Sequence, residues 1–474
     1  MYSAYITRIK NLRPHSNADR LQLGECFGNT VCVSLDYTDG QLVAYFPTDG
    51  QLSEEFCREN DLVRRKDENG QSAGGYLDAA KRNIQAIKLR GEKSDGLALP
   101  VSCLAYTGID LNTLTEGTII NTVNGHDICT KYIPRRNPSR TGRDGNRTRK
   151  KKVDIAPLFA EHADTEQLAY NLADFHVGDI IDLTLKMHGT SARTGYLPTL
   201  KGYKRTLLDR IFRREGEPIY EYDYVCGTRR VVLDGFDGGF YGSNEFREQH
   251  HESFRGKLHR GETVYYEILG FTTDGTPIMG NADNKKTKDK DFIKKYGPTT
   301  VFSYGCTPSG KKNLYGEDEN GLYSLEVDAP QSDLYVYRMT YTSPEGNVFE
   351  YPPHLVRRRC EEMGVKTVPH FGTAIISADR LHFIAPDGYD HDYMIGDGTI
   401  GDMVKKLAED YYDGPDPVGK THVREGVVVR IVNRPGFVAY KDKNFSFKVL
   451  EGIAKADAEA PDIEETQEDY KEEV

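Results

Sequence analysis

The sequence predicts an α+β protein in which strands outnumber helices, with a β-rich N-terminal region followed by a larger mixed domain. Three observations predict it. The first 110 or so residues read as short strands broken by turn residues. From about residue 153, apolar strand candidates alternate with two helical patterns. Between them, residues 135–152 carry no apolar periodicity and read as a loop or linker.

In chain order, Val31–Leu35 and Leu42–Phe46 are strand-like, and Asp39-Gly40 between them is a hairpin signal. The run 84–89 alternates again, so the N-terminal region is expected to form a small barrel or sandwich. In the second domain, strands are expected at 181–187, 264–270, 299–304, 334–341 and 427–432, and helices at 355–363 and 400–412. No internal repeat is visible.

With 474 residues, 38% hydrophobic and 28% charged, the chain can hold two or three soluble domains with real cores. No apolar window is long enough for a membrane span, and Met1–Arg8 lacks the apolar stretch of a secretory signal. Eight scattered cysteines form no CxxC pair, which points to a reducing cytoplasm rather than a zinc ribbon or a disulfide scaffold. The net charge of −11 argues weakly against a protein that coats nucleic acid, but the charge is uneven. Residues 135–152 hold nine basic side chains and one acidic, whereas 455–474 hold nine acidic and two basic and are expected to be disordered.

The chemistry concentrates in a few segments. Residues 181–191 read as a strand ending in a turn: Lys186 and His188 share a face if the strand runs that far, and Gly189 allows close backbone approach. A lysine nucleophile must lose its proton. With an ordinary pKa of about 10.4, its site must disfavour the charged form by about 4 kcal/mol at pH 7, through burial or neighbouring cations. Alone, Lys186 reads as a surface lysine beside a turn. Glu267 interrupts an apolar strand, Glu425 opens a β-branched one, and Lys441 and Lys443 share a strand face. Each of these is ordinary singly, as are the aromatics Tyr335 and Tyr337. Residues 305–312 nearly match a P-loop, but Lys312 stands where a Ser or Thr should reach Mg²⁺ and no helix pattern follows, so they read as a hairpin loop.

Taken in order, these segments resemble the covalent nucleotidyltransferases: DNA ligases, RNA ligases and mRNA-capping guanylyltransferases. Lys186-Met187-His188-Gly189 looks like their motif I, written KxxG, and Arg229 like motif Ia. Residues 265–270 look like motif III, 335–338 like motif IIIa, 425–430 like motif IV and 441–443 like motif V. His188, where DNA ligases and capping enzymes usually have Asp, is similar to RNA ligases of the RNA-ligase-2 type. Only about thirty residues follow Lys443, too few for a C-terminal OB domain, whereas 14–21, 45–50 and 88–97 look like the N-terminal OB module of one RNA-ligase subfamily. Ser191 departs from the pattern, standing where DNA ligases have Arg and RNA-ligase-2 enzymes Asn.

The resemblance implies an OB-like barrel over 1–115, a basic linker over 116–154, an ATP-grasp-like nucleotidyltransferase domain of antiparallel sheets with flanking helices over 155–452, and an acidic tail over 453–474. It implies an ATP-dependent RNA ligase, active as a cytoplasmic monomer on RNA with 3′-hydroxyl and 5′-phosphate ends, in RNA repair. Lys186 would form lysyl-AMP. Lys441 and Lys443 would bind the α-phosphate and depress the Lys186 pKa. Arg229 would take the ribose or a 5′-phosphate, Tyr337 would stack on adenine, and His188, Gly189 and Ser191 would line the nucleotide. Glu267 would hold the ribose or a metal-bound water, and Glu425 would organise Mg²⁺ or Mn²⁺. Arg13, Arg20 and Arg90 are candidate RNA contacts. The rival readings are a DNA ligase, a capping-type guanylyltransferase, and a non-catalytic RNA-binding protein retaining the fold.

Overall fold

A computed structural model describes residues 2–66, 72–133, 155–206, 212, 216–237, 241, 243–318, 321–396 and 398–456. The basic run 135–152 and all but the first two residues of the acidic tail 455–474 lie outside the described residues. The fold is α+β, mostly sheet with few helices. No helix among the described residues is long and apolar enough to cross a membrane.

The chain divides into two compact units that are not contiguous in sequence. The first comprises the described residues of Met1–Arg135, Ala282–Thr299 and Phe445–Asp457. One three-stranded antiparallel sheet holds Tyr5–Arg8, Leu42–Phe46 and Leu97–Pro100, and a second holds Lys10–Pro14, Leu21–Cys26 and Asn29–Ser34. These ladders do not close into a barrel among the described residues. The hairpin expected across Asp39-Gly40 does not form. Asn29–Ser34 pairs back onto Leu21–Cys26 instead, through Phe27 and Gly28 at φ 52° and 74°. Two left-handed residues make a turn whose twist matches the strands, and so tight a connection outcompetes a seven-residue one. The core gathers Ile6, Phe46, Phe56, Leu104 and Ile128. The helix Phe445–Ala456, which spans the expected end of the catalytic domain at 452 and the first residues of the expected tail, lies in this unit, with Lys448 Nζ 2.6 Å from Asp95 Oδ2.

The second unit carries two larger sheets. A seven-stranded sheet runs Glu166–Gln167, Val438–Lys443, Gly426–Ile431, Ile180–Lys186, His370–Ile376, Arg380–Ile384, Asp390–Met394. A six-stranded sheet runs Glu217–Gly227, Thr190–Lys204, Glu262–Gly270, Ser332–Thr342 and Val348–Glu350, with Lys366–Thr367 also pairing Ser332–Thr342. Both expected helices form, as Pro353–Met363 and Ile400–Tyr412. The second begins with a reciprocal capping box between Thr399 and Asp402, satisfying backbone donors that the first helical turn leaves open. Its buried face, Met403, Val404, Leu407 and Ala408, packs on Ile181, Leu183, Val427, Val429 and Ile431. One face of the seven-stranded sheet is thereby sealed, and the alternate residues of the same strands are turned to the other face. Of the expected strand 299–304, only Thr299–Thr300 is extended and paired.

Helix Pro353–Met363 ties the two sheets of this unit together. Arg357 Nη1 lies 3.1 Å from Asp182 Oδ1 on one sheet, and Arg359 Nη2 lies 2.9 Å from Glu262 Oε2 on the other.

Candidate active site

Lys186 is the last residue of Ile180–Lys186, and Thr190 is the first of Thr190–Lys204, so the chain crosses from the seven-stranded to the six-stranded sheet through Met187, His188 and Gly189 alone. The crossing is tight. A Cβ on Gly189 would lie 2.4 Å from both Ile268 O and Leu269 Cδ2 and 2.8 Å from Glu267 Cγ, closer than any side chain can pack.

Strand register supplies the rest. Lys186 stands opposite Gly426, which stands opposite Lys443; one step back, Thr184, Val428 and Lys441 form a second row. The period of two puts Lys186, Lys441 and Lys443 on the face away from helix Ile400–Tyr412. Glu425, just before the Gly426–Ile431 strand, reaches into this row with a side chain 1% exposed. Its Oε1 lies 2.7 Å from Lys186 Nζ and 3.2 Å from Lys443 Nζ, and its Oε2 lies 3.9 Å from His188 Nδ1. Gly426 makes room for this: a Cβ there would meet Asp442 O at 2.0 Å.

Lys441 has the most altered chemistry of the group. Burial, followed by repulsion from Lys443, Lys186 and Arg229, lowers its pKa from 10.5 to about 7, with Glu425 opposing. A lysine that gives up its proton near neutrality binds an arriving phosphate most strongly when the phosphate restores that proton. The structure thus gathers Lys186, His188, Glu425, Lys441 and Lys443 around one carboxylate.

The remaining expected residues lie on or beside the six-stranded sheet. Ser191 is opposite Glu267 and donates from Oγ to Glu267 Oε2 at 3.2 Å. Arg229, in the turn after Glu217–Gly227, is paired with Asp164. Tyr337 falls at a register shift between the Tyr265↔Arg338 and Tyr266↔Val336 pairs, a bulge that re-aims its side chain. Its ring meets His162 edge-on, centroids 5.3 Å apart, and His162 N donates to Arg229 O at 3.3 Å. Arg13, Arg20 and Arg90 belong to the first unit: Arg13 is paired with Glu25 at 3.2 Å, Arg20 is exposed, and Arg90 donates to Asn17 O at 3.4 Å.

Sequence reasoning missed several members of this neighbourhood. His162 Nδ1 is sealed from solvent without a hydrogen-bond partner among the described residues, and burial together with Arg229 and Arg338 pushes the pKa of His162 well below its ordinary value. Tyr304 accepts from His188 N at 2.8 Å and is held protonated by burial and by the carboxylates of Asp416, Glu425 and Glu267. Arg247, fully buried, donates to Ser191 O at 2.8 Å and Thr190 Oγ1 at 2.7 Å. None of them belongs to a periodic pattern or a motif. Residues 311–318 after the P-loop lookalike form a strand, not a helix.

The chemistry of the donor set suits a divalent hard cation shared with a nucleotide. Glu425 and Glu267 offer carboxylate oxygens from two sheets, yet among the described residues no three His, Cys, Asp or Glu side chains converge as an all-protein cage. Mg²⁺ and Mn²⁺ sites of this kind draw their other ligands from phosphate and water.

By sequence, no family model and no curated protein matches the chain. By structure, it is similar to Naegleria gruberi RNA ligase with pyrophosphate, at TM-score 0.52 and 14% identity, covering 94% of this chain and 97% of that one. A mutant of the same ligase with AMP and Mn gives the same figures. Another mutant, with ATP and Mn, gives TM-score 0.51 and 15% identity over 93% and 96%. The chain has an RNA-ligase fold. Because the likeness spans nearly the whole of both chains, the RNA-ligase fold includes both compact units rather than the lysine-bearing one alone.

Proposed function

We propose that this chain is an ATP-dependent RNA ligase that joins RNA 3′-hydroxyl and 5′-phosphate ends through lysyl-AMP and RNA-adenylate intermediates, in RNA repair. The observation that carries the reading is a single buried carboxylate, Glu425, holding two lysines from flanking strands, with a third lysine beside them brought to a pKa of about 7. Three crowded ammonium groups cost free energy to bring together, a cost that an arriving polyphosphate offsets. A nucleotidyltransferase needs them, because negative charge grows at phosphorus in every step.

In this reading Lys186 Nζ bonds to the α-phosphorus of ATP as pyrophosphate leaves. Lys441 and Lys443 steady the α-phosphate oxygens, with Lys441 gaining a proton as the phosphate arrives. Arg229 orients the ribose or the incoming RNA 5′-phosphate. Tyr337 stacks on adenine, with His162 backing its ring. Ser191 and Glu267 hold the ribose as a hydrogen-bonded pair, and the Ser hydroxyl serves where related enzymes use longer side chains. His188 shapes the turn and steadies Glu425. Mg²⁺ or Mn²⁺, held by Glu425 and through Glu267, supplies positive charge at the reacting phosphate when bound. The solved Naegleria ligase carries ATP, AMP and Mn, which supports this choice of cofactors. We read the N-terminal unit as OB-like, a support for RNA strands. Within it, the strand Asn29–Ser34 is tied to the hairpin of Ala86–Leu89 and Glu92–Asp95 where Cys32 N donates to Ser94 Oγ at 3.1 Å.

The test is to incubate the protein with α-labelled ATP and Mg²⁺ or Mn²⁺, then offer nicked RNA and nicked DNA in parallel. An acid-stable, hydroxylamine-labile adduct that disappears in Lys186→Ala, followed by sealing of RNA, is expected. An adduct that persists without Lys186 would sink the proposal, and labelling by GTP instead of ATP would move it to the capping enzymes.

A further inference from the structure

The six-stranded sheet has a second face that the chemistry above does not use. Ser191 turns toward Glu267, while Thr194, on the opposite parity, bonds His251 of helix Glu245–Glu252 at 3.0 Å. Beyond that helix, the same reverse face carries Tyr196 and, on the edge strand Glu217–Gly227, Tyr220, Tyr222 and Tyr224 at alternate positions. Tyr196 lies opposite Tyr224, their rings stacked at 4.7 Å and 17°, and Tyr222 meets Tyr196 edge-on at 5.8 Å. Arg255 lies over the Tyr224 ring at 5.2 Å and Arg260 over Tyr222 at 5.0 Å. Tyr220 continues the row toward solvent, 41% exposed.

The guanidinium groups on this face lie directly against the rings. The acidic residues that alternate with the tyrosines, Glu221 and Asp223, are turned to the other face by the period of two, and there Asp223 pairs with Lys201. On the tyrosine face Glu252 engages Arg255 at 2.6 and 2.8 Å, fixing its guanidinium against the ring, while Arg260 adds a second guanidinium over Tyr222. Flat rings at strand spacing, bordered by guanidinium groups, match an RNA single strand, whose bases stack on tyrosine and whose phosphates seek arginine.

We propose that Tyr220, Tyr222 and Arg260 form a docking platform for single-stranded RNA that flanks the ends being joined. The edge strand that carries the tyrosines ends at Gly227, two residues before Arg229. Tyr220 is seven residues from that end, or about 24 Å of extended chain, so the platform would take nucleotides well removed from the break. This proposal rests on the RNA-ligase reading, but it can fail separately.

The experiment measures anisotropy of a fluorescein-labelled oligouridylate bound to the full chain, alongside lysyl-AMP formation and ligation of RNAs with short and long single-stranded flanks. In the Tyr220→Ala/Tyr222→Ala variant, oligouridylate affinity should fall about tenfold, and the KM for long-flanked RNA should rise in step. Lysyl-AMP formation and the KM for short-flanked RNA should stay unchanged. Tyr222→Phe, which keeps the ring, should keep the affinity, and Arg260→Gln should reduce the slope of log affinity against log salt by about one. Normal adenylylation with unchanged oligouridylate affinity in both the double variant and Arg260→Gln would overturn the platform while leaving the ligase reading intact. So would an equal loss on short and long flanks. Absence of lysyl-AMP in the wild-type protein would instead count against the ligase reading itself.

Discussion

Two carboxylates in the second unit, Glu425 buried and Glu350 half-buried, make an instructive pair. Glu425 holds Lys186 and Lys443; Glu350 holds Arg338 and Arg430. In the second cluster the guanidinium planes are fixed from two sides. Arg338 lies 4.4 Å over the Tyr265 ring, and both arginines lie over Phe437, at 4.8 and 4.9 Å. Burial disfavours the Arg338 charge, but the Glu350 hydrogen bond and the attraction of Tyr265, Glu350 and Tyr337 together outweigh it and raise the pKa above its ordinary value. A planar, permanently charged fork suits a fixed joint. The lysine cluster leaves Lys186 23% exposed and brings Lys441 to a pKa of about 7. The same motif of one carboxylate and two cations serves cohesion when built from arginine and reactivity when built from lysine.

Four substitutions would break or sharpen that contrast. Lys186→Ala should abolish the protein–AMP adduct, seen as loss of label from α-labelled ATP, while thermal unfolding stays near wild type. A large fall in Tm would put Lys186 with the structural cluster and erase the contrast. Glu425→Gln should slow adenylylation by about a hundredfold or more, since it removes the charge proposed to organise metal and lysines together. Single-turnover kinetics would check this. Glu350→Ala should act on the fold, costing about 3–5 kcal/mol in urea unfolding, because two buried guanidinium groups lose their counter-charge. The smallest effect is expected at Ser191→Ala. Losing one hydrogen bond of about 1 kcal/mol to Glu267 should raise the KM for ATP several-fold with kcat little changed.

Lys441 adds a dependence on pH that the arginine cluster lacks. Its pKa is lowered on folding, so between about 7 and the ordinary 10.5 the unfolded chain binds the extra proton. Unfolding free energy therefore rises with pH across that window, and below about 7 the folded protein bears the full cost of the buried charge. Lys441→Met should remove this rise, so the wild-type-minus-variant difference in urea stability should increase from pH 7 to 10. A difference that stays flat would place Lys441 outside the crowded site.

The parts of this site that could be read in the sequence are those that obey strand periodicity. Lys186, Glu425, Lys441 and Lys443 each sit at or beside a strand visible as an apolar or β-branched run, and the order of these segments pointed to them, whereas their shared face appears only in the register of neighbouring strands. Helices 355–363 and 400–412 were legible from their own apolar patterns, and in the structure Gly364 and the Thr399–Asp402 box mark ends. His162 and Asp164 were not, because they lie in an irregular segment placed only by tertiary contacts. Arg247 was hidden in a short helix whose role depends on reaching Thr190 and Ser191, far away in sequence. The Asp39-Gly40 signal misled because turn chemistry says where a chain can reverse, not which strands it will join.

The crossing at Gly189 gives the KxxG spacing a mechanical meaning. Two residues are what the chain needs to step from one layer to the next, and the third must be bare because the neighbouring backbone leaves no clearance. The spacing behaves like the tolerance of a hinge pin. An enzyme designer can vary the two middle positions, but inserting one residue, or adding a single methyl group to the last, would jam the joint before any nucleotide arrived.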